Sequence, residues 1–267
     1  MKKFALLLLM CILSAALLAG CGEKADKPQD AVAFLTPGVL TVGSEIGYPP
    51  FESFADDGVT PIGLDIDLAR EIARELGVEV RFENTAWDGI FAGLDANKYD
   101  CVMSAVTIDA GRLLEMDFTQ SYIENWQSIT VKKGAAPVTS VEGLAGLKVG
   151  YQGETTSDMY LADLIDSGAL VCETYPYDKV LGAFDDLRLG RLDAVIADST
   201  VADGYISREP DNFELTWHQS TQPGAEAEVF GIAVKKGNSQ LVDALNSALQ
   251  RLEESGKLDA IRKEWLS

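Results

Sequence analysis

A single histidine among 267 residues leaves little material for a Ser-His-Asp relay or a histidine-bound metal. Basic groups are scarce as well. Lys and Arg number 22 against 42 Asp and Glu, a net charge of −20, which disfavours nucleic acid and anionic lipid headgroups as partners. After the opening segment no apolar run is long enough for a bilayer-spanning helix. Cysteine is also rare. Of four, Cys11 and Cys21 lie in the opening segment, and Cys101 and Cys172 sit in apolar runs that read as strands, so buried free thiols are expected rather than a disulfide framework.

What is present begins with an address label. Lys2 and Lys3 precede the apolar stretch Phe4 to Leu18, and Leu18-Ala19-Gly20-Cys21 resembles the lipobox of bacterial lipoproteins. Residues 1–20 are therefore expected to be a signal peptide and Cys21 a lipidation site, with acyl carbon contributing about 0.8 kcal/mol of membrane affinity per buried CH₂. The implied location is extracytoplasmic, anchored to the cell membrane at its periplasmic face or outer surface. Removing that segment takes Lys2 and Lys3 but no acid, so the remainder is more acidic still. Residues 21–37 show no sustained period and read as a tether. The remaining length suits two small lobes better than one unit.

Strand and helix patterns then alternate. Val39 to Val42 reads as strand, and Leu64, Leu68, Ile72 and Leu76 mark one face of a helix that Gly77 ends. Strand is expected over 78–82, helix over 87–96, strand over 100–106, and a short helix opening at Asp109. In the second half, strand is expected over 147–152, 170–174 and 194–197, helix over 156–165 and 178–189, and two closing helices over 240–254 and 258–265. Such alternation predicts α/β architecture with mostly parallel sheets covered by helices.

A weak repeat runs through the pattern. Phe91-x-x-Leu94 followed by Asp100-x-Val102 recurs with identical spacing as Phe184-x-x-Leu187 followed by Asp193-x-Val195. Two similar lobes would place Ala105 and Asp198 at matching positions past the carboxyl ends of matching strands, where open α/β sheets bind ligands. Arg112 offers a planar fork that suits a carboxylate, and Asp198 suits an ammonium. Thr156 opens a helix whose first N–H groups favour an anion. Each residue also has a plainer reading: Arg112 as a surface ion pair, Asp198 and Thr156 as helix caps.

Tyr48-Pro49-Pro50-Phe51-Glu52, Gly63-Leu64-Asp65-Ile66-Asp67-Leu68-Ala69, Trp87-Asp88-Gly89, Ser104 through Arg112, and Asp117-Phe118-Thr119 through Tyr122 form an ordered series. With Gly190-Arg191-Leu192-Asp193-Ala194-Val195 and Lys263-Glu264-Trp265, the series resembles bacterial solute-binding protein family 3, the polar amino-acid receptors of ABC importers, from about Val39 onward. That resemblance implies a two-lobed, type II periplasmic-binding-protein fold, each lobe a mostly parallel sheet flanked by helices, joined by a two-strand hinge. Lobe 1 would comprise 38–124 plus 229–267, and lobe 2 would comprise 125–228.

The resemblance also assigns roles. Arg112, the Thr107 backbone and the Thr156 N–H would hold a ligand α-carboxylate, while the Ala105 carbonyl, the Thr107 hydroxyl and Asp198 would hold its ammonium. Tyr48 and Trp87 would sandwich the ligand side chain. Glu45 and Gln152 would face its distal group, which favours arginine, lysine or histidine and disfavours glutamate or aspartate. Glu154 departs from the family, where glycine is common before the threonines, and is strained if the position needs positive φ. The expected partners are a free L-amino acid and importer permease subunits, with no cofactor, no metal, no nucleic acid and a monomeric state. The alternatives are an enzyme similar to cyclohexadienyl dehydratases and a ligand-sensing module on the same fold.

Overall fold

Val39-Leu40-Thr41-Val42 opens strand β1 (Val39–Ser44), which the computed structural model buries inside the first of two five-stranded sheets. The structure describes residues 32–266, so the signal peptide read over 1–20 and the lipidation read at Cys21 lie outside the described residues. Part of the segment expected to be a tether is docked: Leu35 N donates to Asp100 Oδ1 at 2.7 Å, and Thr36 bridges Val39.

A short hairpin, β2 (Ser53–Phe54) and β3 (Pro61–Ile62), leads into helix α1 (Leu64–Leu76). Leu64, Leu68 and Ile72 on its inner face are fully buried, each stabilising the fold by roughly 1.5–3 kcal/mol. Gly77, at φ 69°, ends the helix in the left-handed conformation that a side chain disfavours. Then follow β4 (Glu79–Asn84), α2 (Trp87–Asp95), β5 (Cys101–Val102), α3 (Arg112–Glu115) and β6 (Met116–Phe118).

The chain leaves through β7 (Ile123–Asn125) and enters the second sheet as β8 (Gln127–Lys132). There it forms β9 (Lys148–Gln152), α4 (Thr156–Asp166), β10 (Glu173–Tyr177), α5 (Val180–Arg188), β11 (Ala194–Asp198), α6 (Ser199–Arg208) and β12 (Phe213–His218). It returns through β13 (Glu228–Phe230), antiparallel to β7, and completes the first sheet as β14 (Ala233–Lys235). Helices α7 (Ser239–Glu254) and α8 (Lys257–Leu266) then pack on α1.

The two sheets have the same plan. Their orders are β4-β1-β5-β14-β6 and β10-β9-β11-β8-β12. In each, the strand that crosses from the other half is the antiparallel one: β14 against β5 and β6, β8 against β11 and β12. The two-lobed α/β architecture matches the expectation, and the sheets are mixed: in each, four strands run the same way and the crossing strand runs against them. The repeat has a physical counterpart too, because Asp100 Oδ2 accepts from Thr41 N of β1 at 2.8 Å and Asp193 Oδ2 from Lys148 N of β9 at 2.9 Å.

Local departures have local causes. The strand expected over 100–106 is confined to Cys101–Val102, because Ala105 turns to φ 49° and leaves the ladder. The strand expected over 170–174 begins at Glu173. Gly168, at φ 76°, instead turns the chain so that Leu170 N bonds Leu164 O and closes the preceding helix. Cys172 therefore stands outside that strand and only half-buried, whereas Cys101 is fully buried; both are free thiols.

Candidate functional site

The carboxyl ends of β1, β5, β9 and β11 meet around one narrow cavity. Its wall contains Glu45, Tyr48, Trp87, Ala105, Thr107, Arg112, Gln152, Thr156 and Asp198, all nine residues singled out from the sequence, together with Ser104 and Thr155. Two loops, four strand ends and the start of α4 thus converge on one space.

Arg112 is 7% exposed and belongs to the first sheet's side. Asp109 Oδ1 accepts from the N–H groups of Gly111 and Arg112 at 2.8 and 2.9 Å, which fixes the start of α3 and aims the arginine. The guanidinium donates from Nη1 to Thr107 O at 3.0 Å, lies 3.3 Å from Asp109 Oδ2, and stacks 5.4 and 5.2 Å from the ring centres of Trp87 and Phe91. Burial depresses its pKa, opposed by Asp109, Asp198 and Glu228, and it remains a cation.

Asp198 ends β11 on the opposite wall and is 4% exposed. Tyr48 OH donates to its Oδ2 at 2.6 Å, while Asn125 Nδ2 and Gln127 Nε2 donate to Oδ1 at 2.7 and 3.1 Å. Burial first and then the charge of Glu228 raise its pKa, and these three donors pull it back. Its side chain makes no cap for α6.

The role of capping α4 falls to Thr155, whose Oγ1 accepts from Asp158 N at 3.4 Å. Thr156 is thereby released. Its hydroxyl donates to Glu228 Oε2 at 2.9 Å and accepts from Gln127 Nε2 at 3.2 Å, while its N–H stays in the first turn, where helices have unpaired donors. Glu154 does adopt φ 61°, and its carbonyl accepts from Trp87 Nε1 at 3.1 Å across the cleft.

At the far end of the cavity Gln152 Nε2 donates to Glu45 Oε2 at 2.7 Å and to Asp178 O at 3.1 Å, which settles the orientation of the amide. Glu45 Oε1 and Gln152 Oε1 are buried without a hydrogen-bond partner among the described residues. Burial pushes the Glu45 carboxyl up to about 7, tempered by Gln152 and Lys179.

The network around Asp198 contains residues that the sequence placed in the crossing segments but not in the site: Asn125 and Gln127, both fully buried, and Glu228 on β13. One signal for the first two was available. Asn125 and Gln127 alternate with Glu124, Trp126 and Ser128 between Ile123 and Ile129, a period of two that fits a strand, and polar groups buried in a strand need partners.

Two α/β lobes joined by paired crossing strands, with a polar cavity between their strand ends, define a type II periplasmic binding protein. The sequence agrees: the family model for bacterial extracellular solute-binding proteins, family 3, matches residues 40–267, and the chain belongs to that family. The L-cystine-binding protein TcyJ of Escherichia coli (strain K12) is 30% identical over 96% of this chain and 94% of its own length. Among solved structures, an ancestral arginine-binding protein bound to arginine is similar at 36% identity and TM-score 0.79, covering 86% of this chain and 99% of its own. The ancestral amino acid-binding protein AncCDT-1, a precursor of cyclohexadienyl dehydratase, is similar at 32% identity and TM-score 0.78, covering 86% and 96%.

Proposed function

We propose that the chain captures a free amino acid with a cationic side chain and delivers it to the permease of an ABC importer. The observation that carries this reading is the pair of unpartnered acceptors, Glu45 Oε1 and Gln152 Oε1, in the same cavity as Arg112 and Asp198. Arg112, Thr107 and the Thr156 N–H would take the α-carboxylate, and Asp198, the Ala105 carbonyl and the Thr107 hydroxyl the α-ammonium. A guanidinium or ammonium at the far end would supply the donors those two oxygens lack, whereas a second carboxylate would meet only acceptors. Tyr48 and Trp87 would flank the ligand's aliphatic part.

The lobes would be 38–124 plus 229–267 and 125–228, closing about β7 and β13 so that ligand stabilises the closed state. Lipid on Cys21, after loss of residues 1–20, would hold this receptor at the outer side of the cell membrane as a monomer. Binding without catalysis accords with the binding proteins among its relatives and with His218, which pairs with Ser220 away from the cavity wall.

The test is calorimetric titration of the purified protein with arginine, lysine, histidine, cystine, glutamine and glutamate. A cationic amino acid is expected to bind best and, at about a hundredfold excess over Kd, to add roughly 2.7 kcal/mol of stability. Preference for glutamate, or no binding by any of them, overturns the reading.

A further inference from the structure

Behind the ammonium end of the cavity lie two carboxyl groups that ligand capture does not use. Glu52 and Asp65 are both fully buried. Their backbones are drawn together at Gly63, where an added Cβ would lie 2.1 Å from Phe51 O, and Phe51 O accepts from Asp65 N at 3.0 Å. Each carboxyl uses one oxygen on adjacent residues of the same loop. Glu52 Oε1 accepts from Ser104 Oγ at 2.6 Å, and Asp65 Oδ2 accepts from Ala105 N at 2.8 Å and Tyr122 OH at 2.9 Å.

The other two oxygens, Glu52 Oε2 and Asp65 Oδ1, are buried with no donor among the described residues. The titratable groups acting in this space are Glu45 and Tyr48 from the β1 loop, Tyr122 from the approach to β7, and Cys101 of β5; none is a cation. Two fully buried carboxyl groups are held by the adjacent residues Ser104 and Ala105, each keeps an oxygen that no described residue donates to, and no cation is among the groups acting on them, an arrangement that favours retention of one proton.

We propose that Glu52 and Asp65 hold one proton between them, carried by Glu52 and donated to Asp65, and that this pair is the positioning device for the Ser104-Ala105 segment under the ligand. Asp65 keeps the charge because it accepts from two donors where Glu52 accepts from one. Burial and the proximity of Asp65 hold the Glu52 carboxyl well above the usual carboxylate range. Ala105 is the residue that needs such support, since φ 49° is a left-handed conformation that a Cβ disfavours, and Asp65 grips its N–H. The statement about ligand rests on the amino-acid reading above; the shared proton does not.

Glu52→Gln separates the two, because its Oε1 still accepts from Ser104 and its Nε2 donates where the proton stood. Ligand-free parent protein at about pH 9, above the values near 7 of Glu45 and Asp198, is expected to show an infrared carboxylic-acid C=O band in D₂O that the E52Q variant lacks. A raised carboxyl contributes stability that is full below the unfolded value and lost as pH rises through the folded one, so the parent's Tm should fall by several degrees more than the variant's between about pH 5 and pH 9. Absence of the band in the parent, or its persistence in E52Q, overturns the shared proton. With the best amino acid from the titration, Asp65→Ala should bind at least about tenfold more weakly than the parent with the ligand order unchanged, and Asp65→Asn, which keeps an acceptor for Ala105 N, should recover most of that loss; equal binding by D65A, or no recovery in D65N, overturns the positioning role. Should no amino acid bind the parent, the amino-acid reading fails while the band and the Tm difference still decide the proton.

Discussion

The two ends of the cavity are built on opposite principles. Around Arg112 and Asp198 nearly every polar atom already has a protein partner: Thr107, Asp109, Tyr48, Asn125 and Gln127 hold the charged groups before any ligand arrives. At Glu45 and Gln152 one oxygen of each is left bare. A clamp that is fully supported loses little entropy on binding and suits any α-amino acid, while unpaired buried acceptors penalise every ligand that cannot donate to them. Affinity should therefore reside at the first end and selectivity at the second.

Removing the clamp is the strongest way to break this contrast. Arg112→Ala truncates a buried, hydrogen-bonded charge, a loss of about 2–5 kcal/mol, so calorimetry should show affinity weakened at least about thirtyfold for every amino acid alike. Asp198→Asn keeps the shape and two of the acceptor's contacts but removes the charge, and roughly tenfold to a hundredfold weaker binding is expected, again without reordering ligands. Retained affinity in either variant would mean that the supported end is scaffold rather than clamp.

Glu45→Gln sharpens the other side. Binding of arginine should weaken about tenfold while glutamine is affected less, so the ratio of their affinities, rather than either value, carries the result. pH tests the same group: with the Glu45 and Asp198 carboxyls both near 7, cation binding should weaken by more than about tenfold from roughly pH 8 to pH 6, and E45Q should reduce that dependence to the part Asp198 contributes. The ligand-free protein should respond in the opposite sense. Raised carboxyls at Glu45 and Asp198 contribute stability at low pH that is lost as pH rises through their folded values, so Tm without ligand should be higher near pH 5 than near pH 8.

The smallest expected effect lies at the rim between the ends. Glu154 pays for φ 61° with about 1–2 kcal/mol of backbone strain, partly offset in glycine by its greater chain entropy. Glu154→Gly should raise Tm by about 2–4 °C, because its Trp87 contact uses the backbone carbonyl, which glycine keeps.

Legibility in the sequence followed the range of the interactions. Helix α1 was readable to its bounds because Leu64, Leu68 and Ile72 repeat at helical spacing and Gly77 stops it. Arg112, Thr156 and Asp198 were readable from their place beside strand ends and helix starts, and the other cavity residues because the motifs around them resemble those of solute-binding protein family 3. Strands β8, β12 and β14 were not read as strands, since two of them belong to the crossing segments and pair with residues distant in sequence, a relation that no local period reports. Asn125, Gln127 and Glu228 were missed for a related reason: each is polar on a crossing segment, and what each binds is set by the other wall.

Composition and local pattern alone determined the α/β alternation and the repeat that suggested two lobes, because propensity, capping and hydrophobic period act within a few residues, while the full set of candidate contacts came from the resemblance to solute-binding protein family 3. Tertiary structure decided that the crossing strands complete the opposite sheets, that Thr155 rather than Thr156 caps α4, and that Glu52 and Asp65 are buried against the adjacent residues Ser104 and Ala105. Those outcomes depend on burial and hydrogen-bond partners supplied from elsewhere in the chain, and a carboxyl's proton is fixed by that surrounding dielectric rather than by its neighbours in sequence.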